Sequence, residues 1–195
     1  MKAKSSTHQP TNSPIMLSEH FSLAEFEKSE TARQYGIDNN VPTVYIPTLQ
    51  QLCRTVLEPL REFAGRPIII TSGYRCPALN IKVGGVYASQ HTLGEAADIR
   101  LPRTEYTSWK DGQSHTDMET AHRWLTFLKE HTDFDQLILE CSSKPSGEPS
   151  SLELSRGAAE LRRSQTDNGL DYWLHVSCRQ KRSKNRHQVL SLRKE

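Results

Sequence analysis

Four short apolar stretches constrain this chain most: RPIIITS at 66–72, AADIRL at 96–101, FDQLILE at 134–140 and YWLHVSC at 172–178. Their β-branched or alternating character is that of strands, in which every second side chain points to the same face. Helical patterns lie before and between them, so the expected fold class is α+β, a small sheet flanked by helices. The longest apolar runs, such as Ile68-Ile69-Ile70, are far too short to span a bilayer.

Three helices follow from spacing. In FSLAEF, Ser22 is an N-cap with Glu25 three residues on, a capping box, while Phe21 and Phe26 sit where a hydrophobic staple packs; Gly36 is the expected stop. Leu49, Leu52, Cys53, Val56, Leu57 and Leu60 mark a second apolar face, with Pro47 near its start and a kink expected at Pro59. From Asp117 to His131, Met118, Ala121, Trp124, Leu125 and Leu128 form a third face, read as core.

Composition divides the remainder. Residues 1–14, polar and carrying Pro10 and Pro14, read as a disordered lead-in. Their basic start has no apolar core of signal-peptide length, so the chain is expected in the cytoplasm as synthesised, with any export by release or a non-classical route. Residues 142–169, rich in Ser, Gly, Pro and charge, read as an insertion of the lid or disordered kind. Residues 179–195 read as a basic tail, leaving 15–178 as one domain. Net charge is only +2 over 195 residues and the tail lacks interleaved aromatics, so no nucleic-acid partner is expected. Cys53, Cys76, Cys141 and Cys178 have no CxxC spacing, which gives neither a zinc ribbon nor a redox dithiol. A domain of this size does not depend on disulfides. Oligomeric state leaves no mark in the sequence.

The chemistry concentrates in TSGYRCPALNIKVGGVYASQHTLGEAADIRLP, residues 71–102, which brings Arg75, His91 and Asp98 close together. Gly94 lets the chain turn after His91 into the strand carrying Asp98, and His175 lies in a different strand. Where those strands are neighbours, two imidazoles and one carboxylate converge from rigid elements. Three N and O ligands with a free fourth position are the composition of a catalytic zinc site. Spacing alone leaves open the alternative that His91 and His175 are satisfied structural histidines. His8, His20, His115, His122, His131 and His187 have no comparable context.

SGYRCPALNIKVGGVYASQHTLGEAADI, taken with FDQLILE and YWLHVS, resembles the zinc D-alanyl-D-alanine carboxypeptidase family, peptidoglycan-cleaving metallopeptidases that include carboxypeptidases and phage-type endopeptidases. Ser72, Gly73, Tyr74 and Arg75 match the family's S-G-[YF]-R turn. Ser89, His91, Gly94, Ala96 and Asp98 match its S-x-H-x-x-G-x-A-x-D pattern, and His175 fits its aromatic-x-His strand. The likeness runs from about Leu17 to Ser177. It implies a small antiparallel sheet flanked by helices, a central zinc ion held by His91, Asp98 and His175, and peptidoglycan peptides as substrate.

In many members of that family an acid stands three residues before the last His, and here that place is Tyr172. Glu140 is therefore the first choice for the general base and Asp171 the runner-up, each against the alternative of a surface carboxylate. Arg75, after a strand and a tight turn, is placed to grip a substrate carboxylate or steady an oxyanion, against a plain surface salt bridge. Ser89 is a candidate substrate contact, and Asn80, Gly84 and Gly85 shape the turn. The insertion is expected to act as a substrate-selecting flap. The implied function is a zinc-dependent peptidase hydrolysing peptidoglycan peptide bonds, as carboxypeptidase or endopeptidase. The alternative is an inactive, zinc-stabilised module that binds peptidoglycan or protein.

Overall fold

The computed structural model describes residues 14–103, 116–143 and 170–194. Residues 1–13 of the lead-in and 144–169 of the insertion lie outside the described residues, and with them the expectations of disorder and of a flap. The element order is α1 (Leu23–Glu27), α2 (Glu30–Tyr35), α3 (Ile46–Leu52), α4 (Glu58–Ala64), β1 (Ile70–Ser72), α5 (Pro77–Lys82), β2 (Ala96–Arg100), α6 (Met118–His131), β3 (Gln136–Ser143), β4 (Leu170–Ser177) and β5 (Gln188–Lys194). Among the described residues no helix is long and apolar enough to cross a membrane, and all four cysteines are free thiols.

The capping box forms as the sequence suggests, with the Glu25 carboxylate accepting from Ser22 N (2.7 Å) and Ser22 Oγ (2.8 Å). The helix expected from Ser22 to Gly36 is nevertheless two helices. Ser29 offers the backbone a second cap, accepting from Ala32 N at 3.0 Å, and Gly36 ends α2 in the left-handed conformation at φ 61°. Between α3 and α4 lies a π-type turn, Cys53–Leu57, in which Glu58 N bonds back to Cys53 O. Pro59 has no N–H to give and its ring crowds the carbonyl four residues earlier, so the interruption expected there takes the form of a widened turn.

The sheet order is β1-β2-β4-β3-β5. All neighbours are antiparallel except β3 and β5, which run parallel. Two segment readings are corrected here. The strand of FDQLILE continues to Ser143, so residues 142 and 143 belong to β3 and not to the insertion. Residues 188–194 supply the fifth strand, so the segment read as a basic tail is part of the sheet.

The physical reason for the second correction is a pair of aspartates. Asp135, fully buried at the start of β3, accepts from Arg179 Nε (3.0 Å), Arg186 N (2.8 Å) and Arg186 NH2 (2.5 Å). Asp133 takes Arg182 Nε (2.6 Å) and Asn185 Nδ2 (2.9 Å). The basic residues therefore fold down onto carboxylates, and Gln188 N bonds Asp135 O at 2.9 Å to start β5. Burial alone would raise Asp135, but hydrogen bonds from Arg186 and Arg179 lower it to about 2.

Strand alternation gives the sheet two different faces. Ala97 and Ile99 of β2, Leu137 and Leu139 of β3, and Tyr172, Leu174 and Val176 of β4 pack with Leu49, Leu52, Val56, Leu57 and Leu60 of the long helix and with Trp124 and Leu128 of α6. This is the core. The intervening residues Asp98, Ile138, Glu140, Trp173 and His175 belong to the opposite face, outside that cluster.

Candidate metal centre

The S-G-Y-R turn after β1 is fixed by close packing. A Cβ on Gly73 would stand 2.5 Å from Phe26 Cα and 2.7 Å from Phe26 O, so only glycine lets the turn dock on the end of α1. Tyr74 N then bonds Phe26 O at 2.9 Å. From the loop after α2, buried Asn39 ties the same turn together: its Nδ2 donates to Glu27 O and Tyr74 O (3.0 Å each) and its Oδ1 accepts from Cys76 N (2.8 Å). Thr71, at the irregular β1–β2 register, gives its hydroxyl to Asp98 O at 3.0 Å.

Downstream, Asn80, Gly84 and Gly85 shape the turn as expected. Asn80 Nδ2 donates to Val86 O (2.9 Å), a Cβ on Gly85 would collide with Asn80 Oδ1, and Gly84 has φ 71°. Ser89 is buried, and its carbonyl accepts from Thr92 N (3.1 Å) and Thr92 Oγ1 (2.7 Å) at the start of the 3-10 turn Gln90–Leu93 that carries His91. Arg75 N bonds His91 O at 3.2 Å, joining the two motif segments.

His91, Asp98 and His175 meet where these pieces converge. Asp98 and His175 are direct partners across β2 and β4. One donor atom from each of the three lies within 4.8 Å of the others, and all three residues are buried. Asp98 Oδ1 stands 2.9 Å from His175 Nδ1 and 3.2 Å from His91 Nε2. Its Oδ2 is occupied by Arg75 NH2 at 2.6 Å, while Arg75 Nε donates to Ser72 Oγ at 2.8 Å. Arg75, whose side chain is only 15% exposed, is thus paired in the interior and not at the surface. It braces the carboxylate.

The donor set fits a metal ion on a specific observation. His91 Nδ1 lies 2.6 Å from Gly73 O, and since a carbonyl can only accept, that nitrogen carries the proton. Burial, followed by the Arg75 charge, outweighs the pull of Asp98 and lowers His91 to about 4, so the ring is neutral at pH 7. Its Nε2 lone pair therefore faces a carboxylate oxygen. Burial alone would raise Asp98, yet the hydrogen bond with His175 and the Arg75 charge hold it well below the usual carboxylate range. Two electron-rich atoms opposed in this way are what a cation between them relieves, and two N donors with one O donor match zinc.

Register also bears on the two carboxylates considered for the base. Glu140 pairs with Trp173 and Ile138 with His175, so Glu140 sits diagonally from His175 on the same face and is buried. Diagonal neighbours stand roughly 7–8 Å apart, within reach of long side chains. Tyr172 belongs to the core face, which removes its position from the site. Asp171 pairs with Ser142 in the sheet, and its side chain lies outside the described residues. Sequence reading missed Asn39 and the Gly73 carbonyl. The first carries no local signal; the second is implied by a glycine beside a histidine-binding turn.

The Peptidase M15 family model matches residues 19–133, from the approach to α1 to the end of α6. No curated protein matches the chain. The matched stretch contains Arg75, His91 and Asp98, and the strand pairing that brings His175 to them lies beyond it. With more than half of its length matched, the chain belongs to the Peptidase M15 family, metal-dependent and usually zinc-dependent peptidases of the kind that act on peptidoglycan.

Proposed function

We propose that this protein is a zinc-dependent endopeptidase that cuts within the peptides of bacterial peptidoglycan. The observation that carries the reading is the convergence of His91, Asp98 and His175 on one sheet face, with Glu140 on the same face. The three donors would hold the zinc ion. When bound, zinc supplies Lewis acidity, making water a competent nucleophile at neutral pH and polarising a scissile carbonyl. Glu140 accepts the proton of the attacking water and returns it to the departing amine, in the role that family relatives give to an acid three residues before the last His. Asp171 is the second choice for that role. Arg75 keeps Asp98 ionised and turns Oδ1 toward the histidines.

Arg75 also bears on the choice of bond. A carboxypeptidase needs a cation for the substrate's terminal carboxylate, and the Arg that the sequence offers for that task is committed to Asp98 and Ser72. This commitment favours a cut inside the peptide. Digestion of purified peptidoglycan with the zinc-loaded protein, followed by mass analysis, tests it. New internal termini are expected; release of single terminal residues would make it a carboxypeptidase, and intact wall from several sources would favour a binding module. Ser89 is retained as a proposed substrate contact, read out by the KM of Ser89→Ala.

A further inference from the structure

One carboxylate that is not among the donors grips both pieces of chain that carry the histidines. Glu95 stands between the His91 turn and β2. Its N–H donates to Gln90 O (3.0 Å) and its Oε2 accepts from Gln90 Nε2 (3.2 Å), closing the turn on itself. On its other side its carbonyl accepts from Cys178 N (2.9 Å) and its Oε1 from Gln180 N (2.9 Å), holding the chain just past β4. Gln90 is also reached by Arg186 NH2 (3.4 Å), itself seated on buried Asp135. Gln90 adjoins His91, Glu95 precedes Asp98 by three residues, and Cys178 follows His175 by three.

We infer that Glu95 is a positioning residue that sets the spacing between the His91 turn and the strand of His175, and so the affinity of the donor set for zinc. The inference rests on the metal reading above. The turn is already tied on one side, by His91 Nδ1 to Gly73 O and by Arg75 N to His91 O. Those bonds fix it to the β1 loop, and they leave its distance from β4 unset. Glu95 makes that second tie, holding the turn through its N–H and Oε2 and the chain past β4 through its carbonyl and Oε1. Donors held at their final separation bind a metal without ordering the chain at the moment of binding, which is where such supports act on affinity.

The test is zinc affinity, measured by competition with a chromophoric chelator on Glu95→Ala and Glu95→Gln, with circular dichroism and urea midpoints on the same samples. Glu95→Ala should raise the zinc Kd about tenfold, the low end of what outer-shell supports contribute. Glu95→Gln should recover to within about threefold of the parent, since Oε1 still receives the Gln180 N–H. A merely structural Glu95 would lower the urea midpoint and leave Kd unmoved. Should Glu95→Ala not fold, Gln90→Ala carries the same test, because it removes the side-chain ties of the turn to Glu95 and Arg186. A folded variant whose Kd stays within about twofold of the parent overturns the inference. A parent that takes up no zinc overturns both this and the function proposed above.

Discussion

Asp135→Asn isolates the carboxylate that folds the basic segment into the sheet. An ordinary aspartate titrates at 3.8 and Asp135 is lowered to about 2. The difference, just under two units, corresponds to about 2 kcal/mol of folding stability at neutral pH. Because the folded value lies below the unfolded one, this stabilisation is complete above the ordinary value and disappears as pH falls toward 2. At pH 3 about 1 kcal/mol of it should already be lost. Urea unfolding at pH 7, 5, 4 and 3 reads this directly. The parent should lose about 1 kcal/mol more than Asp135→Asn between pH 5 and pH 3. At pH 7 the variant should be less stable by about 2 kcal/mol, its arginines being partly solvated and able to return to water. Other carboxylates with lowered values, Asp133 among them, titrate in both proteins and cancel in the comparison. Equal stability at pH 7, or parallel profiles down to pH 3, would refute the assignment.

Elemental analysis should find one zinc per chain, lost in the His91→Ala, His175→Ala double variant; full occupancy in that variant would remove the two histidines from the site. Glu140→Gln should keep zinc while turnover on peptidoglycan falls at least about a hundredfold. Full activity of Glu140→Gln with a dead Asp171→Asn would exchange the two roles. Gly73→Ala forces a Cβ onto the Phe26 backbone. It should cost about 1–3 kcal/mol in urea melts. It should also weaken zinc binding in the folded protein, because the carbonyl that orients His91 moves with it; unchanged zinc affinity would detach Gly73 O from the site.

The local devices were legible in the sequence: the Ser22 capping box, the Gly36 stop, the apolar face of α6 and the motif residues around His91 and Asp98. What escaped was non-local. Phase along one strand is readable, and in YWLHVSC it already sets Tyr172 on the face opposite His175; the register between strands is not, so nothing there told that Glu140 lies diagonal to His175. The segment from Arg179 looked like a solvated charge run because its partner Asp135 lies 44 residues before Arg179 and 51 before Arg186. A single helix was expected through Ser29 because only the cap at Ser22 and the stop at Gly36 were read, and Ser29 offered a competing cap between them. The contacts of Arg75 with Asp98 and Ser72 were not legible either, since a motif names a side chain and not what it touches.

The pairing of Asp98 with His175 spans 77 residues of chain. At roughly 5–20 residues per second of synthesis, the wait between the two is on the order of 4 to 15 s. Throughout it, β2 has β1 on one side and nothing on the other, and the donor set has two members. Asp135 waits less long, for an arginine that emerges 51 residues behind it. A peptidase built on these three donors would thus be incompetent until residue 175 has been made, and a chain released earlier would lack the third donor. Synthesis through β4 is then the first checkpoint on the donor set.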